Sequence, residues 1–281
     1  MLIKIRKLIK MQNTENIKKI DVRSYQMAAQ VLFLTLGIYF LDFDINYFNV
    51  FITMLSTIFT QYICCLFFKQ RFEAKNAVIT GLSLSLVLRS NDLVIFILAG
   101  VVAILSKFII RFNNRHIFNP AIFGLISVLL FSNSAWISPG QWGTLSWVLA
   151  LLIIIGLFVA VKSNRLDVAL AFISTYIVLT GVRGFWLNEP LNLIFYQFEN
   201  GAAFLFTFFT ISDPKTTPQT SSKRIVFGII AGVWAMILRY YFYNPYYIVY
   251  SLALTSGMIL LIKIILSFEY PKIFNKMSKA L

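Results

Sequence analysis

The stretch GAAFLFTFFTISDPKTTP, Gly201 to Pro218, decides the fold of this chain. Its first part, Gly201 to Ile211, is apolar and aromatic, and from Ser212 onward the sequence is polar and carries two prolines. As a helix, the apolar part would span roughly 16 Å at about 1.5 Å per residue, about half of a bilayer's hydrocarbon core. Apolar segments this short beside Gly and Pro are typical of discontinuous membrane helices, which build binding sites in transporters.

A matching pattern occurs in the first half of the chain. The segment NAVITGLSLSLVLRSND begins at Asn76, 125 positions before Gly201, and the helix starts Asn119-Pro120 and Asn244-Pro245 are also 125 positions apart. An Asn at the N-cap accepts a hydrogen bond from a free amide, and a Pro at the first helical position has no amide to satisfy. Two matched landmarks at one offset predict an internal duplication.

The composition predicts an all-α polytopic membrane protein. Of the 281 residues 59% are hydrophobic and 13% charged, and the mean hydropathy is +0.78. The net charge of +14 is spread over short loops and both tails. This distribution is typical of the cytoplasmic loops of a membrane protein, and it does not indicate a nucleic-acid partner. Cys64 and Cys65 are adjacent in an apolar segment and are expected to pack in the interior rather than to form a disulfide or metal site.

The apolar runs predict about ten transmembrane segments in two halves of five. They lie near residues 27–41, 48–68, 77–88, 93–110 and 120–131, and then near 144–161, 166–182, 201–211, 225–238 and 246–268. The aromatic segment LNLIFYQFEN between them is expected to lie along the membrane interface. An odd number of crossings in each half means that the two repeats are inverted relative to each other, with a binding region between them.

This organisation assigns a region to every part of the chain. The regions are a basic cytoplasmic tail (1–24), a first membrane repeat (25–131), an outside-facing connector (132–143), a second membrane repeat (144–268) and a basic cytoplasmic tail (269–281). With both termini inside, nearly all loop Lys and Arg face the cytoplasm. Arg89, Arg183 and Arg239 are the exceptions. The first ten residues, MLIKIRKLIK, suit either a basic helix lying on the membrane or a flexible tail.

Soluble-enzyme motifs such as GxGxxG, HExxH and GxSxG are missing from the sequence. His116, the single histidine, cannot build a zinc site alone, and it suits either a structural role or a contact with a ligand or proton. Helix starts at Asn76, Asn119, Asn200 and Asn244 would present free amides and partial positive charge to a ligand, or would only satisfy their own backbone.

The densest polar cluster beside a membrane segment follows the short apolar stretch. Its members, which could hold an anionic or polar group or form an ordinary solvated loop, are Ser212, Asp213, Lys215, Thr216 and Thr217. Ser83, Ser85, Thr207 and Thr210 lie within the short segments and could line a pore or bond between helices. No carboxylate lies deep in a predicted span, which argues against a cation pump.

The stretches FFTISDPKTTP, HIFNPAIFG and AVITGLSLSLVL together resemble the membrane subunits of ion-pumping redox complexes, namely the RnfD subunit of the Rnf complex and the NqrB subunit of the sodium-pumping NADH:quinone reductase. The resemblance runs from about Asn76 to Arg239. It implies ten helices in two inverted halves related to urea and ammonium channels, a bacterial cytoplasmic membrane, and partner subunits of a redox complex. It also implies an FMN bound covalently to a Thr of the connector. The connector of this chain, SNSAWISPGQWG (132–143), contains no Thr, so we expect no covalent FMN.

Three functions are therefore compatible with the sequence. The first is a subunit of a redox-linked electron transport system that holds a non-covalent flavin (FMN or riboflavin) or a quinone between the repeats. The second is a transporter or channel for a small neutral or anionic solute, which would use the same inverted repeat and its polar short helices. The third is a structural assembly subunit without a ligand.

Overall fold

The structure, a computed structural model, describes residues 21–112, 115–138, 142, 145–198 and 201–269. The basic N-terminal stretch, Asn200, nearly all of the C-terminal tail and parts of the connector lie outside these residues. The described helices are α1 Val22–Tyr39, α2 Tyr47–Phe67, α3 Ala74–Val87, α4 Leu93–Ile109, α5 Pro120–Phe131, α6 Ser146–Lys162, α7 Leu166–Trp186, α8 Leu191–Tyr196, α9 Gly201–Leu205, α10 Ser221–Tyr240 and α11 Tyr247–Glu269.

The helices confirm a polytopic, mainly α-helical membrane protein. Within the described ranges, α2, α7, α10 and the part of α11 up to Ile265 are long and apolar enough to cross a membrane. The helices α3, α4, α5 and α6 are apolar but shorter. All eight coincide with predicted spans to within a few residues, because long apolar runs are the strongest sequence signal for helices in lipid.

The short segment that begins at Gly201 forms α9, which continues directly into one π-helical turn, Phe206–Thr210. In this turn the Ile211 amide donates to the Phe206 carbonyl five residues back, at 2.9 Å. The Thr207 hydroxyl donates to the Ala203 carbonyl at 2.6 Å, and Gln26 of α1 donates to the Phe209 carbonyl at 3.2 Å. Widened turns of this kind are frequent at functional sites. The predicted break at Ser212 is present, but the π turn was not predicted.

Two of the predicted asparagine caps need correction. Asn119 caps α5 as expected, since its Oδ1 accepts from the amides of Ala121 and Ile122 at 3.0 and 3.3 Å. Asn76 is not a cap, because α3 begins at Ala74 and places Asn76 inside its first turn. Asn244 accepts from the Tyr246 amide at 2.8 Å, but α11 begins only at Tyr247.

Among the described residues, four short strands that were not predicted join the helix ends. β1 (Leu88–Ser90) pairs antiparallel with β4 (Ala135–Ile137), which ties the end of α3 to the segment after α5. β2 (Arg111–Phe112) pairs antiparallel with β3 (Arg115–His116) in the turn before α5. Strands of two or three residues carry too little periodicity to be read from sequence.

Two long helices pack closely against each other in each half of the chain. The helix α2 lies against α4 in the first half, and α7 lies against α10 in the second. Glycines permit both approaches: a Cβ on Gly100 of α4 would meet Thr57 at 3.2 Å, and one on Gly228 of α10 would meet the Val168 carbonyl at 2.7 Å. The helix α4 also packs on α5, and α10 packs on α11.

The three arginines predicted on the outer face all make internal contacts. Arg89 is 3% exposed and donates to the carbonyls of Ser85, Leu86 and Leu88, so it satisfies free carbonyls at the C-terminal end of α3. Arg183 forms an ion pair with Glu189 at 2.7 Å. Arg239 donates to the Tyr176 hydroxyl. These arginines therefore have structural reasons for their positions.

Candidate functional site

An inner cavity lies between the two halves of the chain. About 70 Å³ of it is accessible to the centre of a water molecule. Its walls come from α1, α3, α5 and β4 on one side and from α9, the π turn and the start of α11 on the other. Apart from Ser83, Gln30 and Thr210 the lining is apolar or aromatic: Leu86, Val87, Ala121, Ile122, Leu125, Ile137, Leu205, Phe206, Phe209, Pro245, Tyr246, Tyr247, Ile248 and Val249.

Gln30 gives this cavity a polar edge. Its side chain is 1% exposed, and its Nε2 donates to the Ser83 hydroxyl at 2.7 Å. The Oε1 of Gln30 is buried and has no hydrogen-bond partner among the described residues. A buried acceptor without a donor lowers the stability of the folded protein by about 1–3 kcal/mol. A ligand that donates a hydrogen bond to Oε1 would remove this cost.

Two helix starts also meet at the cavity. Ala121 and Ile122, in the first turn of α5, line it, as do Tyr247 and Ile248 in the first turn of α11. The N-terminal end of a helix carries partial positive charge. The arrangement therefore joins an acceptor, two positive helix ends and aromatic walls around one small space.

A second opening, which we call the basic cleft, lies at the ends of α2, α3 and α4. It is larger, with about 440 Å³ accessible to the centre of a water molecule. The loop 212–220 of the second half contributes to it together with the β2–β3 turn. The lining residues are Gln61, Gln70, Arg71, Glu73, Asn76, Lys107, Phe108, Arg111, Arg115, His116, Pro214, Lys215 and Gln219.

The polar loop after the π turn is held by both halves. The Oδ1 of Asp213 accepts from the Lys215 amide at 2.9 Å, and its backbone carbonyl accepts from the Thr217 hydroxyl at 2.8 Å. Arg165 is 7% exposed and donates from Nε to the Thr217 hydroxyl at 3.1 Å. The Nδ2 of Asn119 lies 3.4 Å from the Oδ2 of Asp213. Contacts from Asn119 in the first half and from Arg165 in the second half therefore hold this loop.

The predicted site residues separate into four groups. Ser83 and Thr210 line the inner cavity, and Asn76, His116 and Lys215 line the basic cleft. Asn119 and Asp213 connect the first half to the loop between these two spaces. The remaining residues line neither opening: Thr207, Ser212, Thr216 and Thr217 bond to nearby backbone carbonyls, and Asn244 lies at the start of α11.

Among the lining residues that are missing from the predicted set, three have buried polar side chains. Lys107, 8% exposed, donates to Gln61 Oε1 at 2.7 Å, and Gln30 faces the inner cavity. Lys107 had a sequence signal, since a cation within an apolar helix is costly and marks a functional position. Gln30 and Gln61 had none, because a single amide in an apolar helix does not reveal which neighbour it faces.

His116 is expected to stay neutral at physiological pH. Burial lowers the pKa of His116 to about 4, and the cations Lys107, Lys215 and Arg111 act in the same direction against Asp213. An unfolded imidazole titrates near 6.5, so the unfolded chain takes up this proton first as the pH falls. The stability contributed by neutral His116 is therefore complete above about pH 6.5 and decreases towards pH 4.

The single histidine makes this prediction directly measurable. In protein purified without a histidine tag, the NMR signal of the one imidazole should titrate with a midpoint well below 6. A midpoint at or above 6.5 in buffer free of phosphate would show that His116 is solvated rather than buried.

The apolar helices define a multi-pass helical membrane protein. They enclose a cavity with a polar edge, and a basic cleft lies at their ends. Residues 134–269 match the family described as the NQR2, RnfD, RnfE family. The match covers just under half of the chain and includes the SDPKTTP loop with the helices around it. It confirms the resemblance for the second half, whereas the FNP and ITGL stretches of the first half lie outside it.

Three curated relatives illustrate the similarity. By name they are subunits of the "Ion-translocating oxidoreductase complex" of Salmonella paratyphi B (strain ATCC BAA-1250 / SPB7), Salmonella newport (strain SL254) and Salmonella heidelberg (strain SL476). Each is 32% identical over 102 residues, which cover 35% of this chain and 27% of the relative. The matched stretch thus spans only about a quarter of the length of these relatives.

Proposed function

We propose that this chain is a membrane subunit of a redox-linked electron transport system of a bacterial cytoplasmic membrane. In this proposal it works with other membrane subunits and holds a flavin or a quinone, without a covalent bond, in the inner cavity. The observation that carries the proposal is this cavity, because its second-half wall lies in the region that matches the redox family. The names of the relatives support the same class of function.

The packing supports two inverted repeats around the cavity. The equivalent pairs α2–α4 and α7–α10, and α4–α5 and α10–α11, recur in the same order along the chain. The helix starts at Asn119-Pro120 and near Asn244-Pro245 reach the cavity from the two halves. With five crossings in each half, both termini would face the cytoplasm. Cysteines introduced near each terminus should then be labelled only from the cytoplasmic side.

The size of the cavity bears on which ring it holds. The centre of one water molecule needs about 10–15 Å³ of accessible space, so about 70 Å³ accommodates on the order of five waters. That space suits a single six-membered ring such as a quinone head group. The three fused rings of a flavin would need Phe206, Phe209 and Tyr246 to move outward. The apolar walls suit either ring, and the Gln30 acceptor suits a ring edge that donates, such as a flavin N–H or the hydroxyl of a reduced quinone.

The residues of the chain would bind and orient the ring. A bound quinone or flavin supplies reversible uptake of electrons and protons. Ser83 fixes the amide of Gln30, so that its Oε1 stays available to a donor on the ring edge. The aromatic side chains of Phe206 and Phe209 would cover the ring faces and exclude water.

A direct test is the content of the purified protein. Absorbance spectra and solvent extracts of full-length protein in detergent should show a flavin or a quinone near one per chain. Gln30→Leu should weaken rebinding of the extracted ring about tenfold, because it removes the buried acceptor. Thr35→Ala, at an exposed position of the same helix, is the control. Protein that neither contains nor binds riboflavin, FMN or a short-chain quinone would exclude the proposal.

A transporter or channel for a small solute is the second candidate. It is favoured by the two helix starts at one cavity between the halves, the arrangement of sites in inverted-repeat transporters. Proteoliposomes that take up urea or riboflavin, with no ring retained in the purified protein, would support it over the redox subunit. A cavity that binds neither ring nor solute would leave a structural assembly subunit.

A further inference from the structure

The basic cleft takes no part in the proposed redox function and has its own chemistry. Five cationic side chains line it, against one carboxylate, that of Glu73. Glu73 is already paired with Arg23 of α1 at 2.7 Å. In the part of the chain that the structure describes, no carboxylate lies within ion-pair distance of the five cations Arg71, Lys107, Arg111, Arg115 and Lys215. Their charges therefore add up at one place.

Lys107 shows that this charge is built into the fold rather than only present on loops. The residue is 8% exposed, and its ammonium group donates to Gln61 Oε1 at 2.7 Å. Gln61 is itself 4% exposed, and its Nε2 contacts the Cys65 sulfur at 3.6 Å, which orients its oxygen towards Lys107. Taking an ammonium group out of water costs several kcal/mol unless an anion compensates it, and a neutral amide compensates only in part.

One of the arginines, Arg111, is held in place at the cleft. Arg111 is fixed by donating from Nε to the Lys107 carbonyl at 2.9 Å, with its guanidinium 5.6 Å from the centre of the Phe108 ring. Arginine presents a planar fork that matches phosphate oxygens, and lysine adds a point charge. A space of about 440 Å³ falls in the range of small-molecule sites and holds a phosphate with part of the molecule attached to it.

The geometry points to a binding site for a phosphate group in the basic cleft, with Lys107 at its buried end and Lys215 on the loop that closes it. The phosphate group belongs either to the head group of an anionic lipid or to a soluble phosphate compound. The cleft lies at the ends of membrane helices, where lipid head groups are found, and it is large enough for a soluble ligand. Lys215 comes from the second half, so an occupied site would join the SDPKTTP loop to the first half.

Two measurements on the full chain distinguish these sources. In detergent without anionic lipid, inorganic phosphate is titrated by calorimetry against a chloride control of equal ionic strength. In nanodiscs that contain phosphatidylglycerol and phosphatidylcholine, the lipid retained by the protein is identified by native mass spectrometry. The variants are Lys107→Gln and Lys215→Gln. Lys162→Gln, an exposed lysine at the end of α6 outside the cleft, is the matched control.

Binding of phosphate that weakens at least tenfold in Lys107→Gln and Lys215→Gln, and stays within twofold in Lys162→Gln, would support the site with a soluble ligand. The same pattern for retained phosphatidylglycerol alone would support the site with a lipid. Lys215→Gln keeps the test decisive if Lys107→Gln does not fold, because Lys215 is exposed on a loop. The proposal is overturned if neither anion binds, or if the cleft variants and the control do not differ.

Discussion

Gly124→Ala is expected to lower the free energy of unfolding by about 2–3 kcal/mol, with a fall in the unfolding temperature of roughly 5–10 °C. A Cβ at this position of α5 would lie 2.5 Å from the Ala99 carbonyl oxygen and 2.8 Å from the Ala103 Cβ of α4. Neither atom can rotate away, because one belongs to the backbone and the other is fixed to it. The two helices must therefore separate, and the cavity wall at Ala121 and Ile122 must move with them.

Gly181→Ala is the matched control, since a Cβ on Gly181 would meet nothing within 4 Å. Alanine is the better helix former, so this variant should be neutral or slightly more stable. Thermal unfolding of both variants in the same detergent, followed by intrinsic fluorescence, measures the difference. Equal unfolding temperatures for the two variants would show that α4 and α5 do not pack as closely as described.

Arg224→Met is expected to destabilise the second half by about 3 kcal/mol. Arg224 of α10 donates from Nε to both carboxylate oxygens of Asp167 at 2.8 Å, and its Nη2 lies 2.6 Å from Oδ2. The two side chains are only 8% and 21% exposed. Removal of the guanidinium leaves a largely buried carboxylate whose remaining side-chain partner is Ser221, at 2.6 Å.

The loss of stability in Arg224→Met should come mainly from the Asp167 carboxylate, which is left without a countercharge, and less from the lost contact itself. The double variant Asp167→Asn/Arg224→Met should therefore be more stable than Arg224→Met alone, as a double-mutant cycle would show. Lys75→Gln gives the comparison with an exposed pair, Lys75–Asp21 at 3.5 Å, and should cost less than about 1 kcal/mol. If Arg224→Met and Lys75→Gln cost the same, the Arg224–Asp167 pair is solvated.

Much of the fold could be predicted from residue order because lipid imposes one local rule on each segment. Every apolar run must form a helix to satisfy its backbone, so α2, α4, α5 and α7 lie within a few residues of their predicted bounds. The Asn119-Pro120 start was predictable for the same reason, since its hydrogen bonds are local. The π turn and the strand pairs depend on distant partners such as Gln26 and Ala135, and no local pattern encodes them.

The candidate sites likewise contain features that local sequence predicts and features that depend on distant partners. The sequence by itself determined that this is a multi-pass helical membrane protein, that a short segment breaks at Ser212, and that polar residues cluster after the break. Only the tertiary structure decided that Gln30 bonds to Ser83 at the edge of the inner cavity and that Lys107 and Lys215 line one cleft. The physical reason is that lipid acts on each helix separately through its composition, whereas a site forms from the side chains that helix packing brings together.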